Sequence, residues 1–424
     1  ADGAAWEGQR AHRIRAVGMK ILVANLGSTS LKWRLFDLSD GAERLLHRGG
    51  LERVTDHAQA IETCLQQLAE AGHVRTDSDL AAVGFKAVVA KGVTGCVPVT
   101  EEVLRAMEEF HCLAPAHNPP YVSGMRLFAR RLPGVPLVAL FETAFYQWAP
   151  QAAMEYAVPQ GWRAAGVRRL GFHGASHKYI AERSAELLGR PDVAVRVRNL
   201  YVDGGASPVS GPPLRVISCH LGGSSSVTPL RDGLALGNSL GLSPQSGLPH
   251  NNRVGDLDSF AIPLVMRTLG LGLEEVERQL CRESGLLGLS GLSNDIRDLV
   301  AAAAQGHAGA RLALDVWVHS ARHWIGAALA QLGGAEALVF TAGIGENQPG
   351  LRAAICEGWR ELGIELDPVR NEQARGVEAR ISTDGSRVQV WVVPTNEELV
   401  VAREVRRHLE ARNRAVPATA TATA

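Results

Sequence analysis

Lysine is nearly missing from this chain. Of its 44 basic residues only Lys20, Lys32, Lys86, Lys91 and Lys178 are lysines, so a lysine at a working position runs against the chain's habit. An excess of charge is missing too. The 44 basic residues are balanced by 44 acidic ones, which removes the electrostatic bias expected of a protein that binds nucleic acid or a membrane surface. No apolar run approaches the ~20 residues that would span a bilayer. The stretch 1–18 carries charges throughout and has no apolar core, so it does not read as a secretory signal; it is expected to be a disordered arm, with Met19 as the natural start. Cys64, Cys96, Cys112, Cys219, Cys281 and Cys356 are scattered without C-x-x-C spacing. That excludes a zinc site or disulfide framework and fits reduced thiols in the cytoplasm. Finally, no G-x-x-x-x-G-K-[ST] sequence is present, which excludes a P-loop as a phosphate cradle.

What is there begins with length. At 424 residues the chain exceeds what one simple core holds, and two domains are expected. Two stretches share one grammar. Val216 to Ser226 runs as an apolar strand, then His220, Leu221, Gly222, Gly223 and the hydroxyls Ser224, Ser225 and Ser226. Lys20 to Ser30 repeats it: strand, Asn25, Leu26, Gly27, then Ser28, Thr29 and Ser30. Glycine permits close approach of a ligand, and successive backbone N–H groups in such a turn form an anion-binding concavity. One such turn is equally well a serine-rich hairpin. Two of them predict a pair of phosphate loops, one from each lobe, that face each other and clamp a polyphosphate.

Between these stretches the sequence alternates strands and helices. Leu31, Trp33 and Leu35 alternate with Lys32 and Arg34, so Lys20 to Phe36 is expected to form an antiparallel hairpin. His57 to Ala71 has the apolar spacing of an amphipathic helix. Leu80 to Val89 and Leu137 to Phe141 read as strands, and Glu101 to Phe110 as a helix capped by Thr100. The prolines make Leu113 to Pro120 irregular. A helix is expected from Gly171–His177 to about Leu188, then a surface loop over Asn199 to Pro213. Gly237 to Asp258 is long, glycine-rich and aperiodic, the signature of a functional loop. Leu312 to Leu332 is helical, Ala337 to Phe340 and Val388 to Val393 are strands, and Thr395 to about Glu410 is the last helix. The segment 413–424, ending in alternating Ala and Thr, reads as a disordered tail. A β-β-β-α-β-α unit therefore appears twice.

Taken in order, several of these stretches resemble the acetate kinase family, in the superfamily of actin, hexokinase and the heat-shock chaperone ATPases. They are Asn25 to Lys32, Ala114 to Pro119, Phe141 to Phe145, Gly171 to Tyr179, Cys219 to Gly222, Arg253 to Asp258, Glu283 to Asp298, Gly343 to Asn347 and Pro394 to Leu399. The resemblance implies an α/β, two-domain actin-like (ribonuclease H-like) fold with a cleft between the domains. It places 19–165 plus 396–412 in the first domain and 166–395 in the second, nucleotide-binding one. It also implies direct in-line phosphoryl transfer from ATP to a small carboxylate, with Mg²⁺, in a cytoplasmic homodimer. By the same resemblance Asn25 and Glu397 hold Mg²⁺, and Ser28, Ser30 and Lys32 line one phosphate loop while Gly222, Gly223 and Ser224 line the other. Asp295, Ile296, Arg297, Gly343, Ile344, Gly345 and Asn347 contact the nucleotide. His173 and His220 bind the phosphoryl oxygens, Lys86 and Arg253 neutralise charge on phosphate and carboxylate, Glu142 positions the acceptor or the metal, and Val88, Val122, Phe172 and Pro244 form the acyl pocket. His177 reads as a residue of the helix start.

Departures from the family pattern gather on the acceptor side. Lys86 stands where the family has Arg, replacing a planar fork by a point charge. Glu142 replaces Asp, Tyr146 replaces His, and Gly223 replaces Asn. Gly237-Asn238 replaces Asp-Thr, and Pro249 to Asn252 follows a different pattern. The nucleotide side is retained. The expectation is therefore a kinase of a small carboxylate, with a larger acid, an alcohol, or a low-turnover nucleotide-binding regulator as the alternatives.

Overall fold

The computed structural model describes residues 19–415. The expected arm at 1–18 and the tail beyond 415 lie outside the described residues. At 413–415, expected as tail, the last helix is still running; it ends at Ala415. Contacts divide the chain into two units. Unit 1 takes the chain up to Gln147, Leu200–Gly204 and the chain from Asn396; unit 2 takes Trp148–Asn199 and Gly205–Thr395. No helix among the described residues is long and apolar enough to cross a membrane.

Unit 1 is built on β1 (Lys20–Gly27), β2 (Ser30–Asp37), β3 (Arg44–Glu52), β4 (Ala82–Ala87), β5 (Cys96–Pro98) and β6 (Leu137–Phe141), in the sheet order β3-β2-β1-β4-β6-β5. The period-2 pattern of β2 is realised. Leu31, Trp33 and Leu35 are buried while Lys32 is exposed, and the hairpin closes through the two-residue turn Ser28–Thr29, with Gly27 opposite Ser30. Three helices cover the faces: α1 (His57–Glu70), α2 (Glu101–Glu108) and α3 (Asn118–Arg131). α1 starts where Asp56 accepts from the N–H groups of Ala58 and Gln59, and Thr100 caps α2 as expected. β1, β4 and β6 run parallel. Their carboxyl ends therefore lie along one edge, where open α/β sheets bind ligands, and the loops after them carry Ser28, Val88 and Glu142.

Unit 2 repeats the plan. Its strands are β7 (Arg215–Leu221), β8 (Ser225–Arg231), β9 (Leu234–Ala235), β10 (Ala337–Thr341), β11 (Ala379–Arg380) and β12 (Gln389–Val392), in the order β11-β12-β10-β7-β8-β9. Read from the other edge, this is β9-β8-β7-β10-β12-β11, position for position the order of unit 1. The senses match as well: β7, β10 and β12 are parallel, and β8, β9 and β11 antiparallel to their neighbours. The duplicated unit is thus a fact of topology.

Four further helices matter below: α4 (Gly174–Leu187), α5 (Pro191–Asp203), α6 (Ala308–Leu332) and α7 (Ala342–Asn347). α6 buries a stripe at helical spacing, Ala310, Ala313, Leu314, Trp317, Ala321, Ile325, Ala328 and Leu332, and stops at Gly333 in the left-handed region. α5 corrects the expected loop, because its last turns occupy 199–203. Val193, Ala194, Val197 and Leu200 form its buried face, a spacing hidden by the Gly/Ser/Pro density that follows. The final helix α8 (Glu397–Ala415) belongs to unit 1, where a Cβ on Gly84 of β4 would press on Val401 and Val405 at 2.9 Å.

Candidate functional site

In unit 1 Lys86, Glu142 and Glu397 meet at the carboxyl edge of the sheet. Lys86, on β4, reaches Glu397 Oε2 at 2.8 Å and Glu142 Oε1 at 3.3 Å. Glu142 is placed by its own N–H, which donates to the Ala87 carbonyl at 2.8 Å. Burial alone would pull the Lys86 ammonium down; Glu397 and then Glu142 more than offset it and hold the group charged, well above the usual lysine range. Asn25 donates from Nδ2 to Glu398 Oε1 at 3.0 Å and accepts from the Tyr121 hydroxyl at 3.3 Å. Glu398 is a residue the sequence reading missed: two adjacent acids open α8, and sequence alone does not say which one meets Asn25. Ser28 lies exposed in its turn, and Lys32 points to Glu52 at 2.9 Å on the outer hairpin. Val88 is half-buried, whereas Val122 packs into the unit 1 core.

This set offers amide and carboxylate oxygens, the donors a hard divalent cation takes. The described residues hold no cluster of three or more His, Cys, Asp or Glu arranged around one point. Mg²⁺ needs none, since it keeps several waters and takes one or two protein carboxylates beside substrate phosphates. Asn25 and Glu397, with Glu142 and Glu398 beside them, fit such an ion.

In unit 2 three histidines gather at the ends of β7 and α4. His173 and His220 stack with ring centroids 4.0 Å apart. His173 occupies the left-handed region (φ 58°) as it caps α4, a conformation that costs a non-glycine residue about 1–2 kcal/mol. His220 Nε2 faces Gly222, lying 3.8 Å from where a Cβ there would sit. His177 is the surprise. It lies in the first turn of α4 but is fully buried, between the hydroxyls of Ser218 at 2.7 Å and Ser226 at 2.8 Å. Nothing local signals this, because both partners come from another hairpin more than 40 residues on.

The long loop 237–258 supplies the rest. Arg253 donates to the Pro244 carbonyl at 2.8 Å, and burial pulls its guanidinium down to about 10. His250 Nδ1 accepts the Ser225 N–H at 3.0 Å, so its Nε2–H donates to the Ser246 carbonyl at 3.1 Å. The Asn251 N–H donates to the Gly223 carbonyl at 3.0 Å. The glycine turn and the arginine loop are therefore one assembly. Phe172 and Pro244 are both buried. Asn238, in the position of a departure, is structural: it donates to Phe172 O and Thr228 Oγ1 and accepts from Leu240 N.

Gly343, Ile344, Gly345 and Asn347 lie in α7, directly after β10, whose end pairs with β7 at His220. A Cβ on Gly222 would meet Ala342 at 3.5 Å, so this turn and the start of α7 are neighbours. Ala342 itself sits at φ 64°, a second strained residue at the same sheet edge. Asp295 caps the helix 296–304 through Arg297 N and also pairs with the Arg297 side chain; Ile296 is buried beside them. A cavity of about 600 Å³ against the 237–258 loop, bordered by Val254, Asp256, Ser284, His319 and Trp324, is lined by none of the sequence-predicted site residues.

Burial pushes His177 and His250 well below the ordinary histidine value, helped by His220 and Arg253 respectively. Both therefore stay neutral when folded, while the unfolded chain binds protons near pH 6.5. Stability is fully present above that pH and is lost as pH falls below it, by up to about 1.4 kcal/mol per pH unit for each histidine. Urea denaturation between pH 7.5 and 5.5 should show that slope, and His177→Asn should reduce it.

The acetokinase family profile matches residues 47–403. An acetate kinase of Natranaerobius thermophilus is 39% identical over 415 residues, covering 92% of this chain and 99% of the relative. One from Geobacillus kaustophilus is 38% identical over 412 residues, covering 92% and 98%. Among solved structures, the Porphyromonas gingivalis acetate kinase superposes with TM-score 0.80 at 32% identity, over 92% of this chain and 100% of that one. A propionate kinase from Francisella tularensis gives TM-score 0.78 at 29% identity, over 91% and 98%.

Proposed function

Because the chain belongs to the acetokinase family, we propose that it transfers the γ-phosphoryl group of ATP to the carboxylate of a small acid such as acetate or propionate. A carboxylate oxygen attacks phosphorus in line, the bond to the ADP oxygen breaks, and an acyl phosphate leaves with ADP. No covalent enzyme intermediate is needed, because catalysis of phosphoryl transfer is mostly positioning and charge stabilisation. The observation that carries the reading is Lys86, one of only five lysines, standing where the family has Arg and held charged between Glu397 and Glu142.

In this reading the two units contribute different tools. Unit 1 supplies Lys86 to neutralise the acceptor carboxylate, Glu142 to orient it, and Val88 and Val122 as apolar lining. Asn25 and Glu397 would hold Mg²⁺, which would neutralise phosphate oxygens when bound. Unit 2 supplies His173 and His220 as hydrogen-bond donors to the phosphoryl oxygens, Arg253 as a half-buried cation, and Phe172 and Pro244 as further apolar lining. The backbone of Gly222, Gly223 and Ser224 would cradle phosphate. Gly343, Ile344, Gly345 and Asn347 would take the nucleoside, with Asp295, Ile296 and Arg297 nearby in role. Ser28, Ser30 and Lys32 would contact phosphate.

The test is hydroxamate trapping of acyl phosphate over a panel of short acids with ATP and Mg²⁺. Product from one or more short monocarboxylic acids is expected; nucleotide binding without product from any acid would sink the reading. Exchanging Lys86→Arg together with Glu142→Asp should raise turnover of acetate about tenfold, since a guanidinium grips a carboxylate bidentately. Unchanged turnover would mean that the acceptor side is built around the lysine for another acid.

A further inference from the structure

Resting on that reading of the site, we propose that two one-way relays of hydroxyls and imidazoles fix His173 and His220 as neutral Nε2–H donors, with Ser218 and His177 as the remote positioning residues of His173. The direction follows from counting protons. Ser218 is fully buried, and its hydroxyl has one partner among the described residues, His177 Nδ1 at 2.7 Å. A buried hydroxyl proton without an acceptor is costly, whereas an unfilled lone pair is cheaper. The Ser218 proton therefore goes to His177 Nδ1.

That choice propagates. His177, fully buried and kept neutral, has a single ring proton. With Nδ1 accepting, the proton is on Nε2 and is donated to Ser226 Oγ at 2.8 Å. The Ser226 hydroxyl, now an acceptor on that side, gives its own proton to His173 Nδ1 at 2.7 Å. His173 is left with its proton on Nε2. The second ring obeys the same logic by a shorter route. Ser176 is fully buried, and its hydroxyl has one partner among the described residues, His220 Nδ1 at 2.8 Å. Its proton goes there, so the His220 proton is on Nε2, the nitrogen that faces Gly222. Both stacked imidazoles thus carry their proton on Nε2, and that of His220 faces the glycine turn. Neither needs a positive charge, and two stacked imidazolium rings 4.0 Å apart would repel. The opposite orientation would leave His173 Nε2 as a lone pair, which repels a phosphoryl oxygen.

The experiment is long-range ¹H–¹⁵N correlation on the ¹⁵N-histidine-labelled full chain without nucleotide, which reports the tautomer of each ring directly. His173 and His220 are expected with bare Nδ1 and protonated Nε2. Ser226→Ala should release His173 to a tautomer mixture and lower kcat for acyl phosphate formation about tenfold, with KM for ATP changing less than twofold. Ser226→Thr, which keeps the hydroxyl, should restore both. Ser218→Ala should move the His173 signal the same way although it is two hydrogen-bonded residues away, which a merely structural serine would not do. A wild-type His173 protonated on Nδ1 would overturn the proposal without any variant having to fold. So would a Ser218→Ala protein whose His173 tautomer is unchanged while activity falls. Failure of the parent reading is distinguishable: it shows as absent acyl phosphate in the wild type, whatever the tautomers are.

Discussion

Lys86→Met should abolish measurable acyl phosphate formation, a loss of about 10³-fold or more, and should also destabilise the fold. The catalytic part follows from charge. Removing a positioned donor to developing negative charge costs on the order of 10²–10³ in turnover, and here the lost group also balances two carboxylates. The stability part follows from what remains. The side chains of Glu142 and Glu397 are only 7% and 17% exposed, and without Lys86 they become like charges with no cation between them. Breaking a buried pair by removing one partner costs roughly 3–5 kcal/mol; the lower end applies because Lys86 is itself 23% exposed. The methionine stem packs much as the lysine stem did, so lost charge rather than lost volume dominates. A companion variant separates the two effects. Lys86→Met with Glu142→Gln removes one of the repelling carboxylates and should recover most of the stability in urea denaturation, yet none of the turnover. Recovered turnover would show that Lys86 serves only to hold the unit together.

How much of this could be read before any fold was known depends on how far each partner lies along the chain. The β1–β2 hairpin was legible because its signal is local: Leu31, Trp33 and Leu35 alternate with polar residues and are buried. α6 was legible because its apolar stripe persists over seven turns. The edge strands were not. Most of β3 is exposed or half-buried, and β5 has three residues, so neither carries a period. The end of α5 was masked by the Gly204-Gly205 pair after it, although its buried face has helical spacing. Site residues divide the same way. Lys86 and Glu142 stood out because each breaks a motif that the chain otherwise follows. Glu398 did not, because it differs from Glu397 by one position and only the tertiary contact with Asn25 distinguishes them. The contacts of Ser218 and Ser226 with His177 were invisible, since a serine in a strand says nothing of a histidine on a distant helix.

Gly285→Ala should be the most damaging single-methyl change in unit 2, although Gly285 was not among the candidate site residues read from the motif Glu283 to Asp298. Its φ is +63°, and a Cβ there would overlap the His250 carbonyl and lie 2.6 Å from the Arg253 oxygen and 2.9 Å from its nitrogen. Those are backbone atoms, which cannot swing aside as a side-chain tip can. The same turn is what the arginine loop hangs from. Ser284 N donates to Asn252 O at 3.2 Å, Leu286 N to His250 O at 2.8 Å, and Leu287 N to Asn251 O at 2.9 Å. Pushing the loop away strains all three bonds and displaces Arg253. It also pulls on the glycine turn through the His250–Ser225 and Asn251–Gly223 bonds. The expected cost is about 3–5 kcal/mol. The protein that remains folded should lose activity about 100-fold, because a positioned group moved by about 1 Å loses that much. Gly270→Ala is the matched control, with φ +67° and open space around its Cβ. It carries the backbone penalty alone, about 1–2 kcal/mol, and should leave turnover unchanged. Equal destabilisation of the two variants, with activity intact in both, would mean that the loop bearing Arg253 takes its position from elsewhere.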